Sequence, residues 1–152
     1  MTQRRTIIGV IGAGTATPRG LRLAEEVGRL LAEQRVVVVC GGLGGVMEAA
    51  CRGAFAAGGT TIGILPGADA SQANPFVTLP IVTNLGHARN VLVAQTAQVL
   101  IAVEGEYGTL SEMAIGLKIG RPVIALASWP GLEGVVYVES AGEAVTRALE
   151  LI

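Results

Sequence analysis

A chain of 152 residues suits one domain over 1–152 and leaves no room for a second core. Apolar residues make up 51% and charged residues 15%, yet no apolar run approaches the ~20 residues that span a bilayer, so no membrane association is expected. A net charge of −1 and 3% aromatic residues remove the basic stripe and the stacking platforms of a nucleic-acid binder. The few charges on so apolar a chain point to surface hidden in a homo-oligomer.

Residues 1–5 are basic, but a short strand-like run follows them with no long apolar segment or cleavage site. No signal peptide is read, and a cytoplasmic location is expected. Strand one is predicted over 6–11, followed by the loop 12–18 with Gly12 and Gly14. A helix over 19–34 carries Leu23, Val27, Leu30 and Leu31 at helical spacing, with Arg22/Glu26 and Glu25/Arg29 on its wet face. The run 36–40 is strand two, and the glycine loop 41–45 leads into a helix over 46–57 ended by Gly58 and Gly59. Cys40 and Cys51, the two cysteines, read as reduced core thiols. With one histidine, one aspartate and no CxxC, no metal site is expected.

Strand three follows over 60–65, then a polar loop over 66–80 that reads as a lid or as an interface arm. An extended edge piece lies at 79–83. A helix over 86–97, with Asn84 as a capping residue, precedes the strand 99–103. The sequence Glu104-Gly105-Glu106-Tyr107-Gly108 then turns into a helix over 109–119. Strands over 122–126 and 135–138 and a helix over 141–151 close the chain. Strands apolar on both faces, alternating with helices, argue a mostly parallel sheet covered on both sides. The fold class is a three-layer α/β/α Rossmann-like open sheet, whose ligands bind beyond the carboxyl ends of the strands.

Three glycine loops fall at those ends, starting at Gly12, Gly41 and Gly105. Each could make a tight strand-to-helix turn or present bare N–H groups to an anion, and three on one rim favour a phosphate-bearing ligand. Dehydrogenase-type NAD binding is not expected. Thr17 stands where the fingerprint needs its third glycine or alanine, and no acid ends strand two. The single lysine, Lys118, has no Walker A pattern before it, and its late helical position argues against a pyridoxal phosphate enzyme.

The segment GGLGGVMEAACRGAFAAGG (41–59) resembles the second glycine loop of the LONELY GUY superfamily, and EGEYGTLSE (104–112) resembles its PGGxGTxxE motif. TTIGILPG (60–67), GHARN (86–90) and GRPVIAL (120–126) are closer to one branch, the molybdenum cofactor carrier proteins and their bacterial relatives. The resemblance implies a Rossmann-like fold assembled as dimers or tetramers. In the LONELY GUY enzymes it implies hydrolysis of the N-glycosidic bond of nucleoside 5'-monophosphates. In the carrier branch it implies binding of the molybdenum cofactor as cargo, with no catalytic cofactor. The family's catalytic arginine and glutamate map onto Arg89 and Glu112. Glu104 replaces the motif's proline and Glu106 its second glycine, and Ala88 and Asn90 replace the glutamate and lysine around the family's arginine.

Gly44 and Gly45, with Thr109, are the expected anion cradle; Gly12, Gly14, Gly41, Gly42, Gly105, Gly108, Arg89 and Glu112 are further expected ligand contacts, with Arg89 and Glu112 as the catalytic groups in a hydrolase. Thr109 to Glu112 also matches a capping box, with Thr109 as N-cap. Arg89 reads as a phosphate-gripping fork or as a salt bridge. His87 reads as a surface or capping group, and Pro66-Gly67 as a turn. A carboxylate at Glu104 would repel phosphate, so it needs a partner, with Arg89 and Arg121 as the candidates. A carrier, a phosphoribohydrolase and a nucleotide-sensing or structural oligomer all remain open.

Overall fold

The structure, a computed structural model, describes residues 1–152. Its elements run β1 (Ile7–Gly12), α1 (Pro18–Glu33), β2 (Val37–Cys40), α2 (Val46–Ala56), β3 (Thr61–Leu65), β4 (Leu79–Val82), α3 (Arg89–Thr96), β5 (Val99–Val103), α4 (Tyr107–Lys118), β6 (Val123–Leu126), β7 (Val136–Val138) and α5 (Ala141–Glu150). The seven strands form one sheet in the order β4-β3-β2-β1-β5-β6-β7, and every neighbouring pair is parallel. The fold is Rossmann-like. Its strand order reverses at β1 and β5, which pair from Ile8 with Val99 to Gly12 with Val103.

Alternation along the central strands sorts the apolar side chains into two cores. Val99, Ile101 and Val103 of β5 pack with residues of α1, α2 and α5, while Leu100 and Ala102 pack with residues of α3 and α4. A strand buried on both faces must be apolar at every position, which is why β2 reads Val-Val-Val-Cys. Cys40 and Cys51 are both buried and unbridged, with their sulfurs 3.5 Å apart. No helix is long and apolar enough to cross a membrane.

The helices α1 and α2 touch backbone to backbone. A Cβ on Gly28 would lie 2.0 Å from the Ala50 carbonyl oxygen, and one on Gly53 would lie 2.0 Å from that of Glu25. Helix propensity alone would make Gly28→Ala stabilising by about 1 kcal/mol. The close approach reverses that sign. Gly28→Ala is expected to cost about 1–3 kcal/mol in urea unfolding, as overpacking does; a gain in stability would contradict the packing.

Several local expectations are corrected. On α1, Arg29 pairs with Glu26 and Glu33, and Glu25 pairs across to Arg52 on α2. The segment 86–97 opens with a 3-10 turn, Gly86–Ala88, before α3 starts at Arg89, and no side chain caps either piece. Asn84 instead sits in a left-handed turn (φ 53°) and donates its backbone N–H to Gly67. The 66–80 loop is tied to the β2–α2 loop. Asn74 donates its side-chain amide to the Leu43 carbonyl at 2.9 Å and its backbone N–H to Gly42.

Candidate functional site

The β5–α4 turn decides where the acids go. Glu104 and Gly105 both adopt positive φ, 52° and 108°, and reverse the chain within two residues. Helix α4 therefore begins at Tyr107 with Glu106 as N-cap, and Leu110 donates to the Glu106 carbonyl. The capping box predicted at Thr109 does not form, because Thr109 already lies inside the helix. Glu112 is consequently carried into the second turn, on the face toward the sheet.

Glu104 finds a partner, though neither arginine. Its carboxylate accepts hydrogen bonds from the Thr17 backbone N–H at 3.1 Å and from the Thr17 hydroxyl, and it lies over Gly20 in the first turn of α1. The chain's own carboxylate thus meets the positive end of α1. Arg121 donates instead to the Gln95 carbonyl at 2.9 Å.

Beyond the ends of β1 and β5 lies a cleft of about 310 Å³. Gly12, Ala13, Gly14 and Thr15 form one wall, and Glu106, Gly108, Thr109 and Glu112 of the α4 start form another. His87, Arg89 and Asn90 come from the start of α3, and Met47 from α2. A Cβ on Gly14 or Gly108 would meet no protein atom within 4 Å, so bare glycine backbone borders the opening. The first N–H groups of α4 have no helical acceptor and belong to this rim.

Of the eleven predicted contacts, Gly12, Gly14, Arg89, Gly108, Thr109 and Glu112 line the cleft; Gly41, Gly42, Gly44, Gly45 and Gly105 do not. Gly41, Gly42 and Gly45 of the 41–45 loop are committed to structure. Gly45 takes φ 65° and ψ −130°, with its Cα hydrogens against the Ala13 and Gly14 backbone, and the Gly41 carbonyl accepts from Arg89. A side chain at Gly45 would meet the Ala13 oxygen at 2.2 Å. Gly45 lets α2 approach the loop after β1, and of the glycines in these two loops Gly12 and Gly14 line the cleft.

Arg89 is buried, 8% exposed, and makes no salt bridge. Its Nε donates to the Ile64 carbonyl at 2.9 Å, Nη2 to Gly41 at 3.3 Å, and Nη1 to the Asn90 side chain. Three of a guanidinium's five N–H groups are therefore used within the protein, leaving one on each Nη. Burial lowers the Arg89 pKa, and the nearby Glu112 opposes that.

Glu112 is 7% exposed, and its carboxyl makes no hydrogen bond within the protein. Burial pushes its pKa up to about 7, with Arg89 pulling in the other direction. Near neutral pH the floor of the cleft is therefore a carboxyl group poised between its neutral and ionised forms. No cluster of three or more His, Cys, Asp or Glu side chains is placed to hold a metal.

Ala13, Thr15, Met47, Asn90 and Glu106 line the cleft without having been predicted, and His87 joins them from the rim. Thr15 and Ala13 flank Gly14 and were within reach of the loop argument. Met47 and Asn90 enter through α2 and α3 packing, for which the sequence offers no local signal.

Comparison with known proteins finds similarity along nearly the whole chain. An uncharacterised protein of Archaeoglobus fulgidus is 46% identical over 142 residues, 93% of each chain. The molybdenum cofactor binding protein of the phototrophic bacterium Rippkaea orientalis superposes with a TM-score of 0.91 at 38% identity, covering 98% of both chains. The molybdenum cofactor carrier protein of Chlamydomonas reinhardtii gives 0.88 at 35% identity, over 97% of this chain and 98% of the other. The model of the SLOG cluster4 family matches residues 5–149. With that match spanning β1 to α5, the chain belongs to the SLOG cluster4 family.

Proposed function

We propose that the protein binds a phosphate-bearing small molecule in the cleft beyond β1 and β5 and holds it without turnover, as a carrier of the molybdenum cofactor or of a nucleotide. The observation that carries this reading is the convergence of two glycine-bordered loops and the start of α4 on one opening at the switch in strand order. Unpaired N–H groups at a helix start, beside backbone without side chains, favour an anionic group. The Rippkaea and Chlamydomonas proteins, named for binding and carrying the molybdenum cofactor, support the pterin-type cargo. Exposed Leu79, Ile81, Val82 and Leu85 at the β4 edge support assembly of copies into a homo-oligomer. A cytoplasmic setting fits this role.

A second reading, a phosphoribohydrolase acting on nucleoside monophosphates, is favoured by Glu112. An unpartnered carboxyl titrating near 7 could serve as a general base toward water or stabilise charge at an anomeric carbon. The experiment is incubation of the protein with nucleoside monophosphates, with free base and ribose 5-phosphate measured and Glu112→Gln as the control. The expected result is intact nucleotide, together with saturable binding of molybdopterin or a nucleotide by calorimetry. Base release that Glu112→Gln abolishes would establish the hydrolase instead.

A further inference from the structure

A second cavity, of about 520 Å³, opens beside the first and shares His87, Asn90 and Gly108 with it. Its remaining wall includes Tyr107, Ser111 and Ile115. The two volumes differ in chemistry. The first holds the glycine backbone, Arg89 and Glu112; the second holds an aromatic ring, an aliphatic side chain and two short polar groups.

Tyr107 is 79% exposed although it sits in the first turn of α4, directly beside the anion rim. It is positioned rather than loose. Its ring lies 5.8 Å from that of Trp129 with 34° between the planes, and Trp129 is itself fixed by a 3.0 Å hydrogen bond from Nε1 to the Glu106 carbonyl. At the opposite polar edge, Asn90 donates to the Ser111 hydroxyl at 3.2 Å, and that hydroxyl donates to the Gly108 carbonyl at 2.6 Å. The Ser111 oxygen keeps a lone pair, and the Asn90 amide keeps an N–H.

We propose that this second cavity is a ring subsite, in which a planar nitrogen heterocycle packs against Tyr107 while the anionic group of the same ligand lies against Gly14, Gly108 and Thr109. The proposal rests on the reading of the first cleft as the anion site. A purine and a pterin share the required chemistry, a flat π-face with ring N–H groups and acceptors at its edge. Stacking on one exposed ring tolerates either, with Asn90 and Ser111 meeting the edge. Tyr107 is then a specificity-determining residue, because it separates ligands that carry a ring from phosphosugars that lack one.

The test measures binding of ribose 5-phosphate, adenosine 5'-monophosphate and molybdopterin to the full chain, as the wild type, Tyr107→Phe and Tyr107→Ala. Trp129, the chain's single tryptophan, reports ring arrival by its fluorescence. At least one ring-bearing probe is expected to bind about tenfold or more tightly than ribose 5-phosphate, in keeping with the strength of ring stacking. Tyr107→Ala should erase that advantage while leaving ribose 5-phosphate affinity in place, and Tyr107→Phe should keep it. Preference between the purine and the pterin identifies which source supplies the ring.

Equal affinity for all three probes in the wild type overturns the ring subsite and leaves the anion site standing. So does equal weakening of all three by Tyr107→Ala, or a change only in oligomer mass on sedimentation, which would make Tyr107 an interface residue. Failure of every probe to bind the wild type overturns the anion site itself, and the ring subsite with it.

Discussion

Glutamine in place of Glu112 is expected to raise stability at pH 8 by about 3 kcal/mol and to change it little at pH 4. The sign follows from the proton count. Between the ordinary carboxyl value of 4.5 and the folded value of about 7, the folded protein holds a proton that the unfolded chain has already released. Stability therefore falls as pH rises through that window, and the full cost stands above about 7. Below 4.5 both states are protonated and the penalty disappears. Glutamine keeps the shape and hydrogen-bonding capacity of the neutral acid and has no charged form to bury. Urea unfolding of both proteins at pH 4, 6 and 8 checks this. A difference that stayed constant across pH would mean that Glu112 does not titrate in the folded protein near 7.

The size of that cost bears on function. A domain of this length has roughly 5–15 kcal/mol of stability in all, so about 3 kcal/mol in one unpartnered carboxyl is a substantial share. Structural carboxylates repay burial with hydrogen bonds, as Glu104 does through Thr17. Glu112 has no such bond and opens onto the cleft. A ligand that supplies the missing donor, or that holds the carboxyl in its neutral form, would relieve the penalty on binding.

The comparison of Glu104 with Glu112 also shows what the sequence could and could not reveal. The strands were legible because burial on both faces forces unbroken apolar runs, and β5 was placed at Val99–Val103 as observed. Helix α1 was legible from its apolar spacing. The start of α4 was not, because Thr-x-x-Glu fits both a cap and a helix interior. What decided between them was the positive φ of Glu104, a conformation that non-glycine residues seldom adopt and that no local pattern announced. The same limit explains the glycine loops. The four glycines of the 41–45 loop were assigned to ligand on type alone, and in the fold that loop is held by Arg89 and Asn74, residues 48 and 31 positions from their partners. Long-range packing leaves that loop outside the cleft lining, which the loops after β1 and β5 border.

Arg89→Met is expected to cost about 3 kcal/mol at pH 8, as expected when buried acceptors lose their donor and a nearby buried carboxylate loses its counter-charge, and distinctly less at pH 5. Methionine fills much of the same volume but leaves the Ile64 and Gly41 carbonyls without their donor, which is costly at any pH. The pH-dependent part comes from Glu112. Arg89 pulls the Glu112 pKa down against burial, so the arginine stabilises the ionised carboxylate above about 7 and has no carboxylate to stabilise at pH 5. Without Arg89, the midpoint for Glu112 should move above about 7, visible as a shift in the pH at which stability falls. Combining Arg89→Met with Glu112→Gln should cost less at pH 8 than Arg89→Met alone, and the difference between pH 5 and pH 8 should vanish. A double-mutant cycle at the two pH values measures this coupling directly. If the two substitutions add at both, Arg89 serves only to tie β2, β3 and α3 together. If they couple at pH 8 alone, the pair sets the charge of the cleft floor, and with it the charge of the ligand the cleft can hold.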